Sequence, residues 1–158
     1  MTTLPEIDVA GWARANGLGE DQFIDVGSIP NHLMARVLRE MDVAVYPNRC
    51  EGGTNLVAME CLACGVPTIV SDNTGHKDLV ATGAPLALRR QRPVSYDGVG
   101  TEGWGESDVE EIVDSLEQVW RDRRAAERRG LFGAAVLGDW SWAAFAARLR
   151  DTLVQFCE

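Results

Sequence analysis

Two carboxylates and two glycines carry the chemistry this sequence can do. They fall in Glu51-Gly52-Gly53-Thr54-Asn55-Leu56-Val57-Ala58-Met59-Glu60-Cys61-Leu62-Ala63-Cys64-Gly65-Val66-Pro67. The glycines stand directly before an apolar, helix-like run, so backbone N–H groups at the helix start are left unpaired and unobstructed. With a helix-dipole charge of roughly +0.5 at that end, they form an anion site whose expected tenant is a diphosphate. Thr54 and Asn55 can add side-chain donors there. Glu60 is the lone carboxylate between Thr54 and Cys64. Helical side chains lean toward the N-terminus, which aims it at the loop. Beside a diphosphate it cannot bind phosphate, because like charges repel. Its natural partners are vicinal hydroxyls, such as those of a ribose, which donate in pairs. Glu51 is placed to do the same for a second polyol. The expected ligand is a nucleotide with a sugar at its far end.

Other reactive residue types give weaker signals. Cys61 and Cys64 form a CxxC, but no second CxxC exists and His32 and His76 are the only histidines. Both thiols are read as structural and no metal site is expected. Arg121 to Arg129 is rich in cations, with Arg123 and Glu127 spaced as an i,i+4 pair on a solvated helix face. The tryptophans at 12, 104, 120, 140 and 142 are read as core or edge residues, with Trp104 in a long loop the exception.

The elements that must position the loop follow from periodicity and punctuation. A helix is predicted over 6–17, stopped near Asn16-Gly17. Phe23-Ile24-Asp25-Val26 reads as a strand running into Gly27-Ser28-Ile29-Pro30, and Asn31 caps a helix over 32–41. Asp42-Val43-Ala44-Val45-Tyr46 is a second strand, ended by Pro47-Asn48. After the glycine loop a helix runs from about Thr54 to Cys64, stopped by Gly65 and Pro67. Pro67–Ser71 is a third strand, His76 to Ala81 a short helix and Leu86-Ala87-Leu88 a weak fourth strand. Residues 91–106 read as loop. Ser107-Asp108-Val109-Glu110 forms a capping box for a helix reaching Arg128. A last helix follows Trp140-Ser141-Trp142.

Strands alternating with helices predict an α/β fold, a Rossmann-like parallel sheet with helices on both faces. Its ligands should sit beyond the carboxyl ends of the strands, where the loops at 27–31, 47–54 and 71–76 converge. The expected division is a partial Rossmann-like domain over 1–128 and a C-terminal helical extension over 129–158 packing on it.

Composition narrows the classes. The 158 residues are 46% hydrophobic and 25% charged, as in a globular domain rather than a disordered tail. Lys+Arg is 15 against Asp+Glu 24, a net charge of −9, with Lys77 the single lysine. Such a chain is a poor binder of nucleic acid or anionic membrane. No run approaches the ~18 apolar residues of a membrane span. The start, Met1-Thr2-Thr3-Leu4-Pro5-Glu6-Ile7-Asp8, lacks a signal-like apolar run, so a cytoplasmic location with reduced thiols is expected.

In combination these residues resemble the carboxy-terminal, nucleotide-sugar donor-binding domain of a GT-B fold glycosyltransferase, group 1 (family 4). That family shows a Glu–Gly–small loop, a second Glu, then Ala-Cys-Gly-x-Pro and a strand. Glu51, Glu60 and Ala63-Cys64-Gly65-Val66-Pro67-Thr68-Ile69 match, with eight residues between the two Glu where seven are usual. Thr74-Gly75-His76-Lys77-Asp78 resembles the family's Gly-Gly-x-x-Glu turn, and Trp140-Ser141-Trp142 the start of its terminal helix. The resemblance runs from about residue 20 to 150. It implies that Glu51 is the catalytic contact to the transferred sugar and that Gly52, Gly53, Thr54, Asn55 and Leu56 hold the diphosphate. It further implies that Glu60 holds the ribose, that Ser28, Ile29, Pro30 and Leu33 frame the base, and that His76 approaches the donor. Transfer in the family retains anomeric configuration with no metal or other cofactor. The family's donor domain opens with a strand, helix and strand bearing a Gly-Arg and a Lys, which are not found before Phe23. The chain therefore reads as amino-terminally truncated, with its acceptor domain missing or supplied by a second chain, and as inactive without it. The alternative is a non-catalytic nucleotide-sugar-binding or protein-interaction module derived from that fold.

Overall fold

Three β-branched residues and a serine, Thr68-Ile69-Val70-Ser71, form the centre of the molecule's sheet. In the computed structural model, which describes residues 8–97 and 100–157, these four residues are all buried. They make β2 (Thr68–Ser71), flanked by β1 (Ala44–Tyr46) and β3 (Leu86–Leu88) in a parallel sheet of order β1-β2-β3. Val45 faces Ile69 in one ladder, and Ile69 faces Leu86 in the other. A parallel strand covered on both faces reads as a continuous apolar run, which is why this segment was plain in the sequence.

The chain divides into two compact units, Met1–Met34 and Ala35–Glu158. The first holds α1 (Val9–Ala15), capped by the Asp8 carboxylate on Gly11 N–H at 2.7 Å, and the start of α2 (Asn31–Leu38). The second holds the sheet with α3 (Leu56–Ala63) against β1 and β2, and α4 (His76–Ala81) against β2. It also holds α5 (Val109–Arg121) against β3, then α6 (Arg123–Gly138) and α7 (Trp142–Cys157). The core is Ala58, Leu62, Val70, Leu79, Ala84 and Leu137, edged by Tyr46, Met59, Val80, Val136 and Trp140. Each fully enclosed leucine there contributes about 2 kcal/mol of apolar burial.

Helix α6 reaches α3 through glycines. A Cβ on Gly130 would stand 1.9 Å from the Gly65 carbonyl oxygen, and one on Gly133 2.9 Å from Leu62 Cδ2. The close approach covers the turn at Gly65 (φ +81), which ends α3. No residue of α7 from Trp142 to Phe156 is buried, and Trp142, Phe145, Leu153 and Phe156 are more than half exposed.

Four local expectations fail, each for a physical reason. Phe23–Val26 is coil: it joins no ladder, and Ile24 is 88% exposed. Residues 91–106 are not all loop, since β4 (Gln91–Pro93) and β5 (Gly105–Ser107) pair antiparallel. Their polar, proline- and glycine-bearing sequences carry no alternation to reveal them. Ser107 is consumed by β5, so Asp108 caps α5 on Glu111 N–H at 3.0 Å, and the Glu111 carboxylate instead accepts the N–H groups of Arg89 and Arg90. The predicted helix to Arg128 breaks at Asp122 (φ −126, ψ 73), whose carboxylate caps α6 on Ala125 N–H. Helix α6 then runs unbroken from 123 to 138.

The same break redirects Arg123. Rather than Glu127, it pairs with Asp42 and stacks its guanidinium 5.2 Å from the Trp120 ring centre. Arg129 donates to the carbonyls of Gly83, Ala84 and Pro85, so this helix face is partly engaged rather than simply solvated. Among the described residues no helix is long and apolar enough to cross a membrane.

Candidate functional site

The loops leaving β1 and β2 meet beyond the carboxyl ends of the strands. Glu51 N–H donates to the Thr74 hydroxyl at 2.7 Å, and Gly75 N–H donates to the Glu51 carbonyl at 3.2 Å. Contact is so close that a Cβ on Gly75 would stand 1.5 Å from the Gly53 carbonyl oxygen. Only glycine fits there. Below this junction Ser71 Oγ donates toward the carbonyls of Tyr46 and Asn48, while Asn73 Nδ2 reaches the carbonyls of Asn48 (2.9 Å) and Gly105 (3.0 Å). Ser107 Oγ joins Ser71 Oγ at 3.1 Å, which ties the β4–β5 hairpin to the same network.

The start of α3 is unusual. Asn55 caps it in the left-handed region (φ 60, ψ 88) with its Oδ1 accepting from Ala58 N–H at 3.1 Å. Thr74, on the opposing loop, also has positive φ (+34), a strained conformation for a β-branched residue. Among the described residues the backbone N–H groups of Gly53, Thr54, Asn55, Leu56 and Val57 donate to nothing within the chain. Of these residues Gly53, Leu56 and Val57 are exposed, whereas Asn55 is buried. From the sequence an anion is expected in a cradle at this loop, with help from Thr54 and Asn55, but those two side chains are otherwise engaged. Thr54 Oγ1 lies 3.2 Å from Met59 Sδ, and the Asn55 amide is divided between Ala58 and His76. Of the donors that the loop and the start of α3 offer, the backbone N–H groups are the ones without a partner in the chain.

Glu60 is exposed on α3, one turn beyond exposed Leu56. Glu51 is half-buried, its Oε2 accepting from Asn48 Nδ2 at 3.1 Å. His76 is fully enclosed. Its Nε2 lies 2.9 Å from Asn55 Nδ2, and its Nδ1 has no hydrogen-bond partner, an omission that costs about 1–3 kcal/mol. Burial pushes the ring's pKa below its ordinary value, opposed by the Glu51 charge and by the Ser71 backbone. Ser28, Ile29 and Pro30 lie in coil and Leu33 in the first turn of α2, all in the first unit.

Sequence reasoning passed over Arg49, Asn48 and Asn73. Arg49 donates to Tyr96 Oη at 2.7 Å and to Glu106 at 2.6 Å, while its carbonyl accepts from Gly105 N–H. That hydrogen bond holds the Glu106 carboxyl below the usual range. Tyr96 in turn meets Trp104 edge to face. Polar residues just past a strand's carboxyl end were the available signal. Cys61 is buried with Sγ 3.1 Å from Tyr46 Oη, and burial raises the pKa of both groups, the mark of a packing thiol rather than a nucleophile.

Residues 30–149 match the model of a family described as family 4 glycosyltransferase in conflict systems. Over 124 residues the chain is 33% identical to a D-inositol 3-phosphate glycosyltransferase of Streptosporangium roseum, covering 77% of this chain and 24% of that enzyme. Its fold is similar to that of sucrose-phosphate synthase from Thermosynechococcus elongatus, with a TM-score of 0.72 at 23% identity, over 94% of this chain and 33% of that one. The chain thus spans about a quarter of the first relative and a third of the second.

Proposed function

The chain belongs to the family 4 glycosyltransferases of conflict systems, and from its site we infer that it binds a nucleoside-diphosphate sugar as the donor half of a retaining transferase. The observation that carries this reading is the row of unpaired N–H groups from Gly53 to Val57, bracketed by the Glu51 and Glu60 carboxylates. Fixed dipoles of that kind favour negative charge without reorganising, which suits both binding of the diphosphate and its departure once the sugar–oxygen bond breaks. In this reading Glu60 accepts from the ribose hydroxyls and Glu51, braced by Asn48, accepts from the transferred sugar. An acceptor-binding domain, in a longer chain or a partner, completes the reaction, and the isolated chain is inactive.

Titration with inorganic pyrophosphate, UDP, GDP and ADP, followed through the backbone amide NMR signals of residues 53–57, tests the reading. Saturable shifts are expected with pyrophosphate and at least one nucleotide. Glu60→Gln should weaken the nucleotide about tenfold or more, since hydrogen bonds to a charged group are worth ~1.5–3 kcal/mol, and leave pyrophosphate unchanged. Arg123→Ala, at the first position of α6 and engaged with Asp42 and Trp120, should change neither. Absence of saturable binding by every probe sinks the donor site.

A further inference from the structure

The buried ring of His76 is joined to the cradle by a single hydrogen bond, and the accounting of donors around that bond is restrictive. Asn55 has one acceptor and one donor group in its side chain. The Oδ1 atom takes Ala58 N–H at 3.1 Å, so Nδ2 faces His76 Nε2 at 2.9 Å with nothing but hydrogens to offer. Nε2 must therefore accept, and the ring proton must sit on Nδ1. A histidine's tautomer is ordinarily set by the bond its other nitrogen makes. Here Nδ1 makes no bond of hydrogen-bond geometry, so the bond from Asn55 is the one that selects the form. The ring cannot turn away, being fully enclosed at the first position of α4 with its N–H on the Asn73 carbonyl at 3.1 Å.

We propose that His76 is a positioning residue, whose accepting Nε2 clamps the Asn55 amide and so holds the left-handed cap that lines up the free N–H groups of residues 53–57. The proposal rests on the donor-site reading for its purpose and on the Asn55–His76 geometry for its substance. Asn55 is the pivot of the cradle: at φ 60 and ψ 88 it turns the chain from the glycine loop into α3. Its amide holds this turn on two sides, at Ala58 and at His76, and the clamp is anchored on α4, which Gly75 and Thr74 already tie to the loop's other end. Removing the acceptor frees Nδ2 and lets the amide swing off Ala58. The row of N–H groups then loses its common direction.

Long-range nitrogen–proton NMR spectra of the wild-type chain read the tautomer directly. A neutral ring protonated on Nδ1 is expected, and an Nε2-protonated ring overturns the proposal. His76→Leu, which keeps the volume and drops the acceptor, should accelerate hydrogen exchange at Ala58 N–H and weaken pyrophosphate binding about tenfold. His76→Gln places a carbonyl oxygen near the site of Nε2 and should restore slow exchange and most of the affinity. Equal exchange and affinity in the Leu variant refute the clamp. Should His76→Leu not fold, Asn55→Gly keeps the left-handed turn accessible while deleting both amide bonds. The same loss is expected from it, and wild-type behaviour is the refuting result. Failure of pyrophosphate to bind the wild type removes the donor-site reading, while the tautomer and the exchange at Ala58 still judge the clamp.

Discussion

His76 brings burial and charge into conflict at one atom pair, and that conflict has a sign in pH. Burial lowers the folded ring's pKa below the ordinary 6.5. Between that folded value and 6.5 the unfolded chain binds a proton that the folded chain refuses. The neutral ring's contribution is complete above 6.5, erodes as pH falls below it and is lost once pH passes the folded value. Glu51 and the Ser71 backbone narrow the window without reversing it. Denaturant midpoints taken from about pH 7.5 to pH 5.5 should therefore fall more steeply in the wild type than in His76→Gln, which has no ring to protonate. Parallel profiles contradict the assignment. Residues of this kind were half legible. The chemistry proposed for Glu51, Gly53 and Glu60 rests on one stretch of chain and so could be argued from sequence alone. The part played by His76 does not, because its hydrogen bond comes from Asn55, 21 residues away. Thr74 was read as a turn residue and no more for the same reason: its hydroxyl matters only when Glu51 N–H arrives from 23 residues upstream.

Elements were read well where a single periodicity decided them and poorly where a partner did. The β1, α3, β2, α4 and β3 succession follows from apolar runs, Gly65 and Pro67. By contrast, Phe23–Val26 has strand-like composition but no ladder, and β4 with β5 has a ladder but no strand-like composition. The meeting of α3 and α6 was equally silent in the sequence, although it rests on two residues. Gly130 lets a helix backbone approach the Gly65 carbonyl, where an added Cβ would stand 1.9 Å away against backbone that cannot yield. Gly130→Ala must push α6 outward and open the core beside Leu62 and Leu137. A loss of about 1–3 kcal/mol is expected from such overpacking, despite alanine's better helix propensity. Gly138, at the end of the same helix, has nothing within 4 Å of its would-be Cβ. Gly138→Ala should be neutral or stabilise by up to about 1 kcal/mol, so urea midpoints of the two variants should move in different directions. A harmless Gly130→Ala would mean that α6 does not sit as closely as described.

At the scale of the whole molecule the net charge of −9 opposes the anionic ligand proposed for the site. The cations nearest in sequence do little to offset it. Arg49 is held by Glu106 and Tyr96, and Lys77 stands exposed on α4. Attraction must come from backbone dipoles, which act over a few ångströms, whereas repulsion comes from carboxylates spread over the surface and acts over the screening length. That length is ~30 Å at 0.01 M salt and ~8 Å at 0.15 M. Added salt therefore removes much of the repulsion and leaves the dipoles almost untouched. Pyrophosphate affinity should hold or rise by up to about threefold as sodium chloride goes from ~0.01 to ~0.15 M. A site that neutralised its ligand with lysine or arginine would weaken over the same range. Measured by calorimetry at the two salt concentrations, a clear fall in affinity would assign the diphosphate to exposed cations such as Lys77 and away from the N–H row at Gly53–Val57.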